Sequence, residues 1–142
     1  MNGFLVDTNV LSELRKERHC HPEVRLWYDS VAEDDIYLSV LVLGEIRHAI
    51  ERIRSRDPRA ARSLDDWISR IAGEFPDRIL PIDAEVADKW GHLDLQRPLP
   101  VIDGYLAATA IVHDLTLVSR DKTAFDDVPV RVINPFERAR PR

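Results

Sequence analysis

The sequence predicts an α/β domain with a mainly parallel central sheet. Short apolar runs, Phe4-Leu5-Val6, "IYLS" (36–39), "RILPI" (78–82), "LTLVS" (115–119) and "VRVI" (130–133), alternate with stretches of helical periodicity. That alternation is what parallel strands joined by helices require. A second observation is "VIDGYLAATAIVHD" (101–114), nearly all apolar, which reads as a central helix buried on most sides. A third is that no internal repeat, low-complexity segment or linker divides the 142 residues. One domain spanning 1–142 is expected, long enough to bury about two thirds of its unfolded surface.

The elements follow in order. Phe4-Leu5-Val6 is a short buried strand, and a helix runs from about Thr8 to Lys16. A second helix starts after Pro22 and ends near the acidic turn at Asp34-Asp35. After the strand 36–39, Ser39 is placed to cap a long helix through "VLVLGEIRHAIERIRSR". Asp57-Pro58 breaks that pattern, and "RAARSLDDWISRIAGEF" is the next helix, with Leu64, Trp67, Ile68 and Ile71 on one face. That face is read as core. Asp83 caps the helix "AEVADKWGHLDLQ", which ends before Pro98. "KTAF" (122–125) is a short turn or helix between the last two strands.

Composition narrows the class. Hydrophobic residues make up 44% and charged residues 32%, ordinary for a globular domain. No apolar run approaches the ~20 residues that span a bilayer, and "MNGFLVD" lacks the basic and apolar regions of a secretory signal. A cytoplasmic protein, with no membrane partner, is expected. The net charge of −5 argues mildly against a general nucleic-acid binder. "RHAIERIRSRDPRAARS" (47–63) nevertheless carries six arginines, read as a solvated helix face rather than a dedicated RNA surface. The single cysteine, Cys20, stands in "HCH", where adjacent residues cannot readily build a tetrahedral zinc site. An exposed polar loop before Pro22 is the expectation there.

In parallel α/β sheets ligands bind at the carboxyl ends of the strands, where the winding order reverses. Asp7 directly follows the first strand, and Asp121 follows "LTLVS" by two residues. Glu45 lies among Leu41, Val42, Leu43 and Ile46, and Asp103 lies inside "PVIDGYLAATAIV". A carboxylate in such company is costly unless paired, protonated or metal-bound. Each acid also has a plain structural reading. Asp7 could cap a helix, Glu45 could pair with Arg47 or His48, Asp103 could start a helix, and Asp121 could belong to a surface turn. Converging at one sheet edge, however, they would repel strongly and call for a cation. Mg²⁺ and Mn²⁺ prefer such oxygen ligands and commonly bridge carboxylates to phosphates.

"FLVDTNVLSEL", "SVLVLGEIRHAI", "PVIDGYLAATAIVHDLTLVSRD" and the ending "VRVINPFE" together resemble the PIN domain, and more narrowly the VapC/FitB-type ribonuclease toxins of bacterial toxin–antitoxin pairs. The resemblance covers essentially the whole chain. It implies an α/β/α sandwich around a mainly parallel sheet. It also implies an acidic set at Asp7, Glu45, Asp103 and Asp121, both catalytic and metal-ligating, holding one or two Mg²⁺ or Mn²⁺ ions. Thr8, Asn9 and Ser119 match small polar positions that support the carboxylates or position water, and Tyr105, Ala107, Ala108 and Thr109 match packing positions. One departure stands out. Many members read T-R-N-x-x-D-F where this chain has "SRDKTAF" (119–125). The usual Asn is Asp121 here and the usual Asp is Ala124, which leaves Asp126 as a weaker substitute for the fourth carboxylate.

The resemblance further implies hydrolysis of an RNA phosphodiester to 5′-phosphate and 3′-hydroxyl ends. It implies a homodimer bound by a cognate antitoxin as a hetero-oligomer, with DNA reached only through that partner. Thr8 or Asn9 would then cap the first helix in place of Asp7. An aspartyl phosphatase of the haloacid-dehalogenase kind needs a second Asp at position 9, where this chain has Asn9. A receiver domain needs a phosphoacceptor Asp after a mid-chain strand and a Lys after a late one, and neither is in place. A catalytically silent binding module acting with an antitoxin on DNA is the alternative of a different class. The loss of a central acid would favour it, and all four are present.

Overall fold

The computed structural model describes residues 3–93 and 98–137. β1 (Phe4–Val6) leads into α1 (Thr8–Leu14) and, after a 3₁₀ turn at Glu17–His19, α2 (Pro22–Ser30). A second 3₁₀ turn, Glu33–Asp35, precedes β2 (Ile36–Ser39), α3 (Val40–Ile53) and α4 (Pro58–Glu74). Then come β3 (Ile79–Leu80), α5 (Ala84–Gly91), α6 (Val101–Val112), β4 (Thr116–Val118), a 3₁₀ turn at Lys122–Phe125 and β5 (Val132–Ile133).

The five strands form one parallel sheet in the order β3-β2-β1-β4-β5. From β1 the chain winds outward through β2 and β3, then crosses back to the other side of β1 for β4 and β5. The reversal falls between β1 and β4, paired Phe4 to Thr116, Leu5 to Leu117 and Val6 to Val118. α5 packs on α6, and α6 on β1 and β4, while α3 packs on β2 and α4, and α1 on α2 and α3. These layers make the expected α/β/α sandwich. Leu5, Val6, Leu38, Leu106, Leu117 and Val118 are fully buried at its centre. Each such side chain contributes about 1.5–3 kcal/mol relative to exposure.

Local chemistry sets the boundaries. Ser39 Oγ accepts the Leu41 N–H at 3.0 Å and starts α3. Asp57 accepts from Ala60 N at 3.1 Å with Pro58 in the first turn of α4, and Asp83 accepts from Val86 N at 2.9 Å to start α5. Several elements are shorter than their sequence pattern. α2 stops at Ser30, whose hydroxyl closes the last turn onto Trp27 O at 2.6 Å, and Val31 is already extended. α3 stops at Ile53 rather than running on to Arg56. The expected end of the α5 helix at Gln96 lies outside the described residues.

Ile68 is buried, and Leu64, Trp67 and Ile71 pack against the core, as their shared face predicted. Arg47 and Arg54 both bind Asp65 of α4, Arg54 at 2.8 and 3.0 Å, so two of the clustered arginines fasten α3 to α4. Cys20 corrects an expectation: it is 6% exposed and part of the core cluster, not in an open polar loop. His21 beside it accepts the Glu23 N–H through Nδ1 to start α2, and its ring meets Phe136 edge-on. Among the described residues no helix is long and apolar enough to cross a membrane.

Candidate active site

β1 and β4 deliver the first two site residues to the point where the sheet reverses. Asp7 N–H donates to Val118 O at 3.0 Å, so the ladder continues one residue past β1 and holds the Asp7 backbone rigid. Its side chain is 8% exposed. One oxygen accepts the Thr8 N–H at 2.7 Å and the other accepts the Ser119 hydroxyl at 2.9 Å. The expectation that Thr8 or Asn9 caps α1 therefore gives way: Asp7 is itself the cap residue. It caps with one oxygen and reaches β4's end with the other.

Ser119, fully buried, does double duty. Its Oγ donates to Asp7 and accepts the Asp121 N–H at 3.2 Å, tying the exposed Asp121 to the buried carboxylate. The loop behind it is clamped by the C-terminal segment. Asn134 Nδ2 donates to Arg120 O at 3.1 Å, and the Arg120 guanidinium lies 4.4 Å from the centre of the Phe136 ring. Those two contacts were not legible in the sequence, because each joins residues fourteen or more apart with no periodic signal between them.

Glu45 stands at the border of the buried stripe Val42, Ile46 and Ile50 on α3 and is itself half-buried. Its partner is neither Arg47 nor His48: Thr8 Oγ1 donates to Glu45 Oε1 at 2.6 Å. Asp103 sits half-buried in the first turn of α6. Asn9 is exposed in the first turn of α1, and among the described residues no hydrogen bond ties its side chain to the carboxylates.

The acids are coupled through their charges. Asp103 is pushed up to about 6, by burial first and then by the charges of Asp7, Glu45 and Asp121. Asp7 is also raised, by burial above all and further by Glu45 and Asp121, against the lowering effect of the Ser119 and Thr8 hydrogen bonds. The four acids singled out in the sequence thus act on one another through their charges. Their oxygen donors, with the Thr8 and Ser119 hydroxyls beside them, suit a hard divalent cation. A cation would also relieve the burial and repulsion that raise Asp7 and Asp103. Among the described residues no three of these side chains already stand as a closed ligand group.

Where α5 packs on α6 the Trp90 indole stacks on the Tyr105 ring, with centroids 4.8 Å apart and planes 13° from parallel. Trp90 is 39% exposed. It lies close over Gly104, where an added Cβ would come within 2.7 Å of Nε1.

With the site laid out, comparison with known proteins places the chain. The PIN domain pattern matches residues 4–130. The chain is 33% identical over 140 residues to Toxin FitB of Neisseria gonorrhoeae, covering 94% of this chain and 98% of that protein. It is 30% identical over 147 residues to VapC ribonuclease Y4jK of Sinorhizobium fredii, covering 96% and 99%. Among solved structures, FitAB bound to a DNA fragment aligns with a TM-score of 0.74 at 28% identity, covering 98% of this chain and 99% of that one. The crystal structure of FitAcB from Neisseria gonorrhoeae aligns with a TM-score of 0.71 at 30% identity, covering 94% and 98%.

The chain belongs to the PIN-domain family. Within it the chain is of the VapC/FitB toxin type, a group of toxin–antitoxin ribonucleases.

Proposed function

We propose that the chain is a divalent-metal-dependent endoribonuclease, the toxin of a toxin–antitoxin pair, hydrolysing RNA phosphodiesters to 5′-phosphate and 3′-hydroxyl ends. The observation that carries this reading is the gathering of Asp7, Glu45, Asp103 and Asp121 about the end of β1, where the sheet reverses: burial first, and then the charges of the other three, raise Asp103 to about 6. These four would hold Mg²⁺ or Mn²⁺, directly or through water. When bound, the ion lowers the pKa of water and offsets charge developing on the phosphate.

The chain's own residues do the rest. Asp7, fixed by the β1–β4 ladder, is the rigid reference point of the site. Ser119 holds one Asp7 oxygen and, through the Asp121 N–H, sets the approach of the fourth acid. Thr8 holds Glu45 from across the first turn of α1. Asp103 keeps a proton more readily than a free carboxyl, through burial first and then the charges of Asp7, Glu45 and Asp121.

A cognate antitoxin, a homodimer and DNA contact only through the antitoxin belong to the same proposal, with a cytoplasmic setting. The FitAB complex on DNA, at 28% identity over nearly the whole chain, supports the antitoxin and its role as the DNA-bound partner. Purified protein incubated with structured RNA tests the activity. Cleavage that needs Mg²⁺ or Mn²⁺, leaves ligatable 5′-phosphate ends and disappears in Asp7→Asn is the expected result. No cleavage with any divalent ion would sink the enzyme reading in favour of a silent binding module.

A further inference from the structure

We propose that Arg52 binds a phosphate neighbouring the cleaved one, so that the RNA strand leaves the carboxylates along α3. The inference rests on the ribonuclease reading and adds to it the path of the substrate and a residue that holds it there.

The register of α3 carries the argument. Each residue of a helix turns by about 100° and rises about 1.5 Å. Val42, Ile46, Ile50 and Ile53 therefore share one side, which is buried or packed on the core. Arg47, Glu51 and Arg54 share a second side, which meets α4: both arginines bind Glu51 and Asp65. Glu45 and Arg52 share the third. Seven residues turn by about 700°, some 20° short of two turns, so Arg52 stands in line with Glu45 about 10.5 Å farther along the axis. Between them on that side lie His48 and Ala49, both exposed, and no acid.

The arginines of α3 are therefore not equivalent. Arg47 and Arg54 have their charges met within the protein. Arg52 is exposed, and among the described residues no hydrogen bond or ion pair engages its guanidinium. It is a free cation on the same helix side as a carboxylate of the site.

That placing suits a phosphate. The chain carries a net charge of −5 and gathers four acids about one strand end, which together repel a polyanion. A cation in line with Glu45 offsets that repulsion where the strand passes. The guanidinium offers paired N–H donors that match two phosphate oxygens. Such a contact fixes the position of the strand and carries no base preference.

The test uses the full-length protein with Mg²⁺ and an RNA that it cleaves. Arg52→Gln keeps helix propensity and removes the charge. It should raise KM by roughly 10-fold, the low end for a hydrogen bond to a charged group, with kcat little changed. The plot of log kcat/KM against log salt should become shallower by about 0.7 to 1, and Arg52→Lys should restore that slope. In the wild type, an uncharged methylphosphonate at one position flanking the cleaved bond should reproduce the loss; in Arg52→Gln it should add nothing further. An unchanged KM and slope in Arg52→Gln overturn the proposal, as do additive losses at every methylphosphonate position. An equal loss in Arg18→Gln, whose exposed arginine lies past the opposite end of α1 from Asp7, reduces the effect to net charge and overturns it too. So does a loss that tracks failed self-association in sedimentation, which assigns Arg52 to a protein contact. If the wild type cleaves RNA in any of these cases, the ribonuclease reading stands alone. A wild type that neither binds nor cleaves RNA removes both.

Discussion

Thr8 Oγ1 donates a 2.6 Å hydrogen bond to Glu45 Oε1, joining the first turn of α1 to the middle of α3 across 37 residues of chain. The contact gives Glu45 a fixed orientation at the border of an apolar stripe, where an unheld carboxylate would rotate toward solvent. It also explains why a residue able to serve as a helix start is a hydroxyl carrier here.

Thr8→Val keeps the shape and removes the donor. Metal affinity should fall by about 10- to 100-fold, the usual cost of losing a partner that orients a ligand, with RNA cleavage falling in parallel. Thr8→Ser should restore most of it. Isothermal titration with Mn²⁺ measures the first effect. Equal affinities for wild type and Thr8→Val would show that Glu45 needs no orientation.

Ser119→Ala withdraws the only side-chain donor to the buried oxygen of Asp7 among the described residues. A buried acceptor left without its partner costs about 1–3 kcal/mol. The urea midpoint should drop accordingly, and the Asp7 carboxyl should move further up, since one of the two hydrogen bonds holding it down is gone. A midpoint identical to wild type would mean that water replaces the hydroxyl without loss.

pH dependence follows from Asp103. Its carboxyl is raised from 3.8 to about 6, by burial first and then by Asp7, Glu45 and Asp121. The folded chain therefore binds this proton more tightly than the unfolded chain. The resulting stability is full below about pH 4 and is lost as the pH rises through about 6. In metal-free buffer the melting temperature should fall across that window, and Asp103→Asn should flatten the fall. Asp103 is partly exposed, so solvent screening holds the difference to the order of 1 kcal/mol. Parallel curves for the two proteins would contradict the shift.

Adding the ion should reverse the same repulsion. At ten times its dissociation constant, Mg²⁺ should stabilise the fold by about 1.4 kcal/mol, or roughly 5 °C for a chain of this size. Sodium chloride at matched ionic strength should do much less, and Asp7→Asn should lose the difference. Equal shifts with the two salts would reduce the effect to general screening.

Much of the fold was legible in the sequence because its signals are short-range. Ser39 and Asp83 each cap the helix that follows, as read from the sequence, through a backbone N–H two or three residues on. Leu64, Trp67, Ile68 and Ile71 announce a core face by helical spacing alone. The lengths were less legible: α2 and α3 stop short of their patterns, α2 where the Ser30 hydroxyl closes its last turn onto Trp27 O and Val31 turns extended. Cys20 is buried against its polar sequence context, since polar neighbours in sequence say nothing about what packs on it from the core.

By itself the sequence determined the alternation of strands and helices, the caps of α3 and α5, and the placing of Asp7 and Asp121 just beyond strand ends. All of these follow from dihedral preference and hydrogen bonding over a few residues. Only the tertiary structure decided that Asp7 both caps α1 and meets Ser119, 112 residues away. It alone brought Glu45 to Thr8, and raised Asp103 through burial first and then through the charges of Asp7, Glu45 and Asp121. The reason is physical: a carboxylate's protonation and partners depend on the burial and charge around it in space. That environment exists only once β1 and β4 are paired and α3 and α6 have packed at the edge they share.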